Sequence, residues 1–143
     1  MVTIQWRKIW PKGRKNQRRI LVNGQELVDK LASFLPKNIL IRLVDTANLP
    51  ISVQISLMRK TDYLVGIHGA GLCLSVFMSQ GSILQEVLPW KHISVVTLMS
   101  ALSGHITYSD LIRSKENNKT NISFKPEIFA KSVLNHMLQN NFF

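Results

Sequence analysis

The sequence is short of several features that mark whole protein classes. Cys73 is its single cysteine, so it has no internal disulfide framework and no cysteine-based metal site. Acidic residues number 8 against 18 lysines and arginines, and no Asp-x-Asp motif occurs. His92, His105 and His136 lie far apart without ligand spacing, which argues against a histidine metal site. No apolar run approaches the ~20 residues of a membrane span. Met1 leads straight into Val2-Thr3-Ile4-Gln5-Trp6, so the chain shows no signal region. There is no internal repeat and no low-complexity tract.

What remains is an ordinary globular composition, 45% apolar and 18% charged over 143 residues. That length suits one compact domain, 1–143, with a sizeable core, free-standing or as part of a longer chain. The net charge of +10 is concentrated. Arg7, Lys8, Lys12, Arg14, Lys15, Arg18 and Arg19 crowd one stretch, which either attracts polyanions or is a solvated loop with excess charge. No aromatic-interleaved motif accompanies it, so no nucleic-acid partner is expected.

Apolar runs alternate with helical patterns. Val2 to Trp6 reads as a strand. Asn23 is placed to cap a helix over about Gln25 to Phe34, where Leu27, Val28, Leu31 and Leu35 recur at helical spacing, and Pro36 closes it. Ile39 to Val44 is a β-branched strand and Ile51 to Lys60 a second helix. Tyr63 to Ile67 is a continuous apolar strand of the kind buried on both faces of a parallel sheet. Leu72 to Met78 reads as the next helix, Ile83 to Leu88 as a strand, and Ser94 to Leu102 as a short helix. A weak strand follows from His105 to Tyr108, then a polar segment from Ser114 to Asn121. Pro126 to Gln139 is the last helix, with proline in its first turn. Strands alternating with helices imply βαβ units, hence a three-layer, Rossmann-like α/β fold with a mainly parallel sheet.

Between the Tyr63–Ile67 strand and the helix after it lies His68-Gly69-Ala70-Gly71. Glycine permits close approach of backbone to ligand, and an opening helix offers unpaired N–H groups with a positive dipole end. Ligands of open parallel sheets gather at the carboxyl ends of strands. A diphosphate suits such a place, with His68 able to donate to a phosphate oxygen. The alternative is a packing turn with a satisfied surface histidine. The turn is not a dinucleotide fingerprint, because it lacks Gly-x-Gly-x-x-Gly.

Asp62-Tyr63-Leu64-Val65-Gly66-Ile67-His68-Gly69-Ala70-Gly71-Leu72, followed by Phe77-Met78, Gly81-Ser82 and Gln85-Glu86-Val87-Leu88-Pro89, resembles the pattern of glycosyltransferase family 61. Val2-Thr3-Ile4 with Arg7, Arg18-Arg19-Ile20-Leu21, and Thr120-Asn121-Ile122-Ser123-Phe124 extend the resemblance over nearly the whole chain. The loop from Ile9 to Gln17 is longer than in the family, Val22 is inserted before Asn23, and Cys73 stands where the family often has threonine. The resemblance implies the C-terminal half of a GT-B architecture, with an N-terminal domain missing from this chain. It also implies transfer of N-acetylglucosamine or xylose from a UDP-sugar donor to a protein or glycan acceptor hydroxyl, with inversion. Location in the endoplasmic reticulum or Golgi lumen goes with it, although this chain carries no targeting signal. The absence of Asp-x-Asp fits a site without metal or cofactor. A degenerate, non-catalytic nucleotide-binding module is the alternative reading.

On this reading His68, Gly69, Ala70 and Gly71 hold the donor diphosphate. Arg7 and Arg19 are candidates to clamp it, each against the competing reading of a solvated surface charge. Glu86 either accepts a ribose hydroxyl or is a buried structural carboxylate. No catalytic base is identified. Cys73 reads as a small buried hydrophobe and Leu72, Val76 and Phe77 as core. Asn118-Lys119-Thr120 and Asn121-Ile122-Ser123 are glycosylation sequons in a polar loop, relevant only in a secretory lumen.

Overall fold

In chain order the elements are β1 (Val2–Gln5), β2 (Ile20–Leu21), α1 (Gly24–Phe34), β3 (Ile41–Val44), a 3₁₀ turn (Thr46–Asn48), α2 (Ile51–Arg59), β4 (Tyr63–Ile67), a longer 3₁₀ stretch (Ala70–Phe77), β5 (Ile83–Leu88), α3 (Val95–Leu102), β6 (Ile106–Leu111), β7 (Asn121–Ile122) and α4 (Pro126–Gln139). The structure is a computed structural model that describes residues 1–6, 20–88, 95–111 and 121–143.

Five strands form one sheet in the order β3-β1-β4-β5-β6, and every pairing in it is parallel. Counting only these five, the order is 2-1-3-4-5, the doubly wound arrangement in which the chain reverses direction at its first strand. This is a Rossmann-like α/β fold. The period-2 alternation of each strand divides its residues between two cores. Val2, Ile4, Tyr63, Val65, Ile83 and Val87 pack with Leu27 and Leu31 of α1 and with Phe129, Ala130, Val133 and Met137 of α4. On the opposite face Leu64 and Leu84 pack with Met58 of α2, Leu72 and Met78 around the long 3₁₀ stretch, and Val96 of α3. Both faces are covered, which is why β4 and β5 read as unbroken apolar runs rather than alternating ones. Each fully buried leucine here contributes about 1.5–3 kcal/mol.

Several elements differ from the sequence expectation, each for a local reason. The helix expected over Leu72 to Met78 is 3₁₀, from Ala70 to Phe77, with the Leu72 amide donating to Gly69 O (3.0 Å) and that of Met78 to Ser75 O (2.9 Å). A three-residue turn stacks i and i+3, so Leu72, Ser75 and Met78 line up inward and are buried. Val76 and Phe77, expected in the core, fall off that line and stand 39% and 38% exposed. Asn23 does not cap α1 with its side chain. Its amide bonds the backbone of Phe124 instead, donating to the carbonyl (2.9 Å) and accepting from the N–H (3.3 Å), which ties the start of α1 to the chain leaving β7. The strand expected over His105–Tyr108 is β6 and runs on to Leu111. β2 and β7, which pair in parallel, were invisible because two residues carry no alternation. Asn121, expected in the polar segment, is in β7, and Ser123 of its sequon is buried. The other sequon, Asn118 to Thr120, lies outside the described residues.

Beneath α4 the first core carries a polar network. Tyr63 donates its hydroxyl to Gln85 Oε1 (2.7 Å), and Gln85 Nε2 donates to Asp110 Oδ2 and Ser132 Oγ (2.6 Å each). The Ser132 hydroxyl bonds Asp110 in turn. His136 stacks flat on Tyr108, with ring centroids 3.7 Å apart. Burial pushes the His136 imidazole below the ordinary histidine range, and the Asp110 carboxylate offsets part of that. Just below the unfolded-chain value of 6.5, the folded protein therefore binds fewer protons than the unfolded chain. Stability is full above that pH and falls as pH drops through the lowered value. Urea midpoints measured from pH 7 downward are expected to decline below about pH 6.5. His136→Phe, which keeps the stacking and cannot titrate, should flatten that part of the profile.

Candidate functional site

The reversal of the sheet makes a crevice. β1 pairs with β3 on one side and β4 on the other, so Gln5 lies between Val44 and Gly66. Beyond those carboxyl ends one segment leads through α2 and the other into the long 3₁₀ stretch, and the described residues leave space above β1. A cavity of about 330 Å³ occupies it. Gln5 and Trp6 form its floor, Asp45, Thr46 and Ala47 one wall, and His68, Gly69, Ala70 and Gly71 the other. This is the place where doubly wound folds bind their ligands.

The His68–Gly71 wall follows from the way β4 ends. The His68 amide still belongs to the sheet, donating to Val87 O at 3.0 Å. The chain then turns, and the Gly69 carbonyl accepts the first 3₁₀ bond from Leu72. The N–H groups of Ala70 and Gly71 precede that first bond, and none of the described residues accepts from them. Ala70 is exposed, and Gly69 and Gly71 are half-buried. Both residues line the cavity, and two adjacent backbone donors suit an anion. Gly66 and Gly71 make room for neighbouring side chains: a Cβ at Gly66 would lie 2.8 Å from Leu72 Cδ2, and one at Gly71 would lie 2.4 Å from Gln5 Nε2, so either would oblige that side chain to shift.

His68 is held from below. Its Nδ1 lies 2.5 Å from Oε1 of Glu86, whose side chain is completely buried, whereas that of His68 is 17% exposed. The pairing follows from the strands: Glu86 sits opposite Gly66 in the β4–β5 register, on the same face as His68, the residue that follows β4. A carboxylate at Nδ1 selects the tautomer and orients the ring.

The structure therefore brings His68, Gly69, Ala70 and Gly71 to one cavity wall. Glu86 is completely buried behind the imidazole and is not among the residues that line the cavity. Arg7 and Arg19 lie outside the described residues, as does most of the basic stretch. Cys73 is half-buried and packs at the border of the second core. His105 is buried with neither ring nitrogen bonded, and no group of three or more His, Cys, Asp or Glu suited to a metal occurs among the described residues.

Sequence reasoning missed the opposite wall. Asp45 Oδ1 accepts from the Ala47 amide at 3.1 Å, which forms the turn after β3. Gln54 Nε2 donates to Leu49 O at 2.7 Å and pins that turn to α2. Gln5 Nε2 donates to Thr46 Oγ1 at 2.7 Å. The signal was present in the rule that ligands collect at strand ends, which applies to β1 and β3 as much as to β4.

No helix among the described residues is long and apolar enough to cross a membrane. A family model described as Glycosyltransferase 61 matches residues 5–84. That segment is more than half of the chain and contains every cavity residue named above. No curated protein matches the chain.

Proposed function

The chain belongs to glycosyltransferase family 61, and from that premise we propose that its cavity holds the diphosphate of a UDP-sugar whose sugar passes to a protein or glycan hydroxyl. The observation that carries this reading is the meeting, at the switch point of the sheet, of two unengaged backbone donors with an imidazole oriented by a buried carboxylate. In sugar transfer the bond from the anomeric carbon to the diphosphate breaks, and charge grows on the departing phosphate oxygen. Donors already aimed at that oxygen lower the barrier, because they need no reorganisation as the charge develops. The N–H groups of Ala70 and Gly71 and the His68 ring fill that role, so the reading requires no metal.

Attack by the acceptor on the face opposite the leaving group gives inversion, and N-acetylglucosamine or xylose is the sugar on this reading. The chain supplies the leaving-group side of the reaction. A second Rossmann-like domain across the cleft would supply the acceptor side, in a secretory lumen.

Calorimetric titration separates the outcomes. UDP is expected to bind about tenfold or more tighter than UMP, since the second phosphate gains charge-assisted hydrogen bonds of ~1.5–3 kcal/mol each. EDTA should leave both affinities unchanged. Equal affinity for UDP and UMP, or none for either, would sink the diphosphate site. UDP binding without transfer of label from UDP-N-acetylglucosamine or UDP-xylose would favour a degenerate binding module.

A further inference from the structure

The cavity has two walls on separate strands, and a single side chain spans the gap between them. Gln5 ends β1 and is fixed in the backbone by strands on both sides. From there its amide reaches across the floor. Nε2 donates to Thr46 Oγ1 at 2.7 Å, on the wall formed by the turn after β3. The same amide lies flat against the other wall: a Cβ built on Gly71 would meet Gln5 Nε2 at 2.4 Å, Cδ at 3.1 Å and Oε1 at 3.3 Å. Lower down, a Cβ on Gly66 would come within 3.3 Å of the Gln5 Cβ and carbonyl oxygen. One glycine thus makes room for the stem of Gln5 and the other for its tip.

We propose that Gln5 is a positioning residue, a crossbar whose amide sets the separation between the phosphate-facing loop and the Thr46 turn. The proposal rests on the diphosphate reading of the cavity and adds a residue that acts through both walls. The tip of a glutamine is flexible and by itself would yield to an extra methyl group. Here it is tied to Thr46, so a methyl at Gly71 either breaks that bond or drives the loop outward. In both cases the donors of Ala70 and Gly71 lose their spacing from the opposite wall.

The consequence is non-additivity. Gly71→Ala should weaken UDP binding about tenfold, equivalent to about 1.4 kcal/mol and within the range of coupling between residues in contact. Gln5→Ala should weaken it by a comparable factor, because the crossbar is gone. In the Gln5→Ala background the three atoms nearest the extra methyl are gone, so Gly71→Ala should then change affinity by less than about twofold. UDP titration of the four proteins, with urea unfolding of each, reads the cycle. A residue that merely supports the fold would lower the urea midpoint and leave the affinity of the folded protein alone. If Gly71→Ala does not fold, Thr46→Val removes the bond from the other end and should be equally non-additive with Gln5→Ala. Wild-type chain that fails to bind UDP overturns the diphosphate reading and this proposal with it. Wild-type binding with substitutions that add independently overturns the crossbar alone.

Discussion

On the proposed diphosphate reading, replacing His68 with alanine is expected to abolish any rise in thermal midpoint that UDP produces in the wild-type chain, and to slow sugar transfer by the protein that carries it roughly 10²–10³-fold. The magnitude follows from where the imidazole stands. It lines the cavity between the sheet and the two unengaged amides, and Glu86 already fixes its ring. A donor in that position is worth most when charge develops on the leaving oxygen, in a site partly screened from water. Alanine removes the donor, and water enters in its place as an unoriented substitute. The fold should survive, because the His68 backbone amide keeps its bond to Val87 and the lost side chain is not part of either apolar core. His136→Phe is the control, since His136 lies on the opposite face of the sheet among Tyr63, Tyr108 and Asp110 and should leave the UDP effect intact. A His68→Ala protein that UDP still stabilises as fully as wild type would remove the imidazole from the site.

The difference between those two histidines marks how far residue order alone could be read. The sheet was legible because burial on both faces writes itself as unbroken apolar strands, Tyr63 to Ile67 above all, with helical patterns between them. The His68–Gly71 wall was legible for the same reason: it follows the most strongly marked strand and contains glycines that a helix start would not otherwise favour. The other wall was not. Gln5, Asp45, Thr46 and Gln54 are ordinary polar residues in sequence, and what makes them a site is the parallel pairing of β1 with both β3 and β4. Strand order is a long-range property that no local period carries. The role of Glu86 was equally hidden. A carboxylate on a buried strand suits a ribose hydroxyl or an ion pair alike, and only the register opposite Gly66 puts it under the imidazole. The 3₁₀ stretch misled for a different reason, since Ala70 to Phe77 is apolar at nearly every position and offers no stripe to distinguish a three-residue turn from a 3.6-residue one.

Glu86 itself gives the second large effect. Its carboxyl group is wholly buried and 2.5 Å from Nδ1 of His68, so a substitution that removes this partner leaves a polar atom unmet in the interior. Glu86→Gln keeps the volume and a hydrogen-bonding oxygen but loses the charge, and its amide can face the ring from either end. The imidazole is then no longer held in one tautomer by this partner. On the proposed reading, weakening this hydrogen bond by about 1.5–3 kcal/mol should slow transfer roughly tenfold to a hundredfold. The UDP affinity of Glu86→Gln should fall with it, and the urea midpoint should move little. Glu86→Leu separates orientation from mere space-filling. It leaves Nδ1 without an acceptor in the protein interior and should destabilise the fold by about 1–3 kcal/mol, with transfer as low as in His68→Ala. If Glu86→Leu instead keeps UDP binding and transfer within about twofold of wild type, the buried carboxylate does not orient the ring. The imidazole would then be held by groups other than this carboxylate, and orientation by Glu86 would drop out of the proposed leaving-group site.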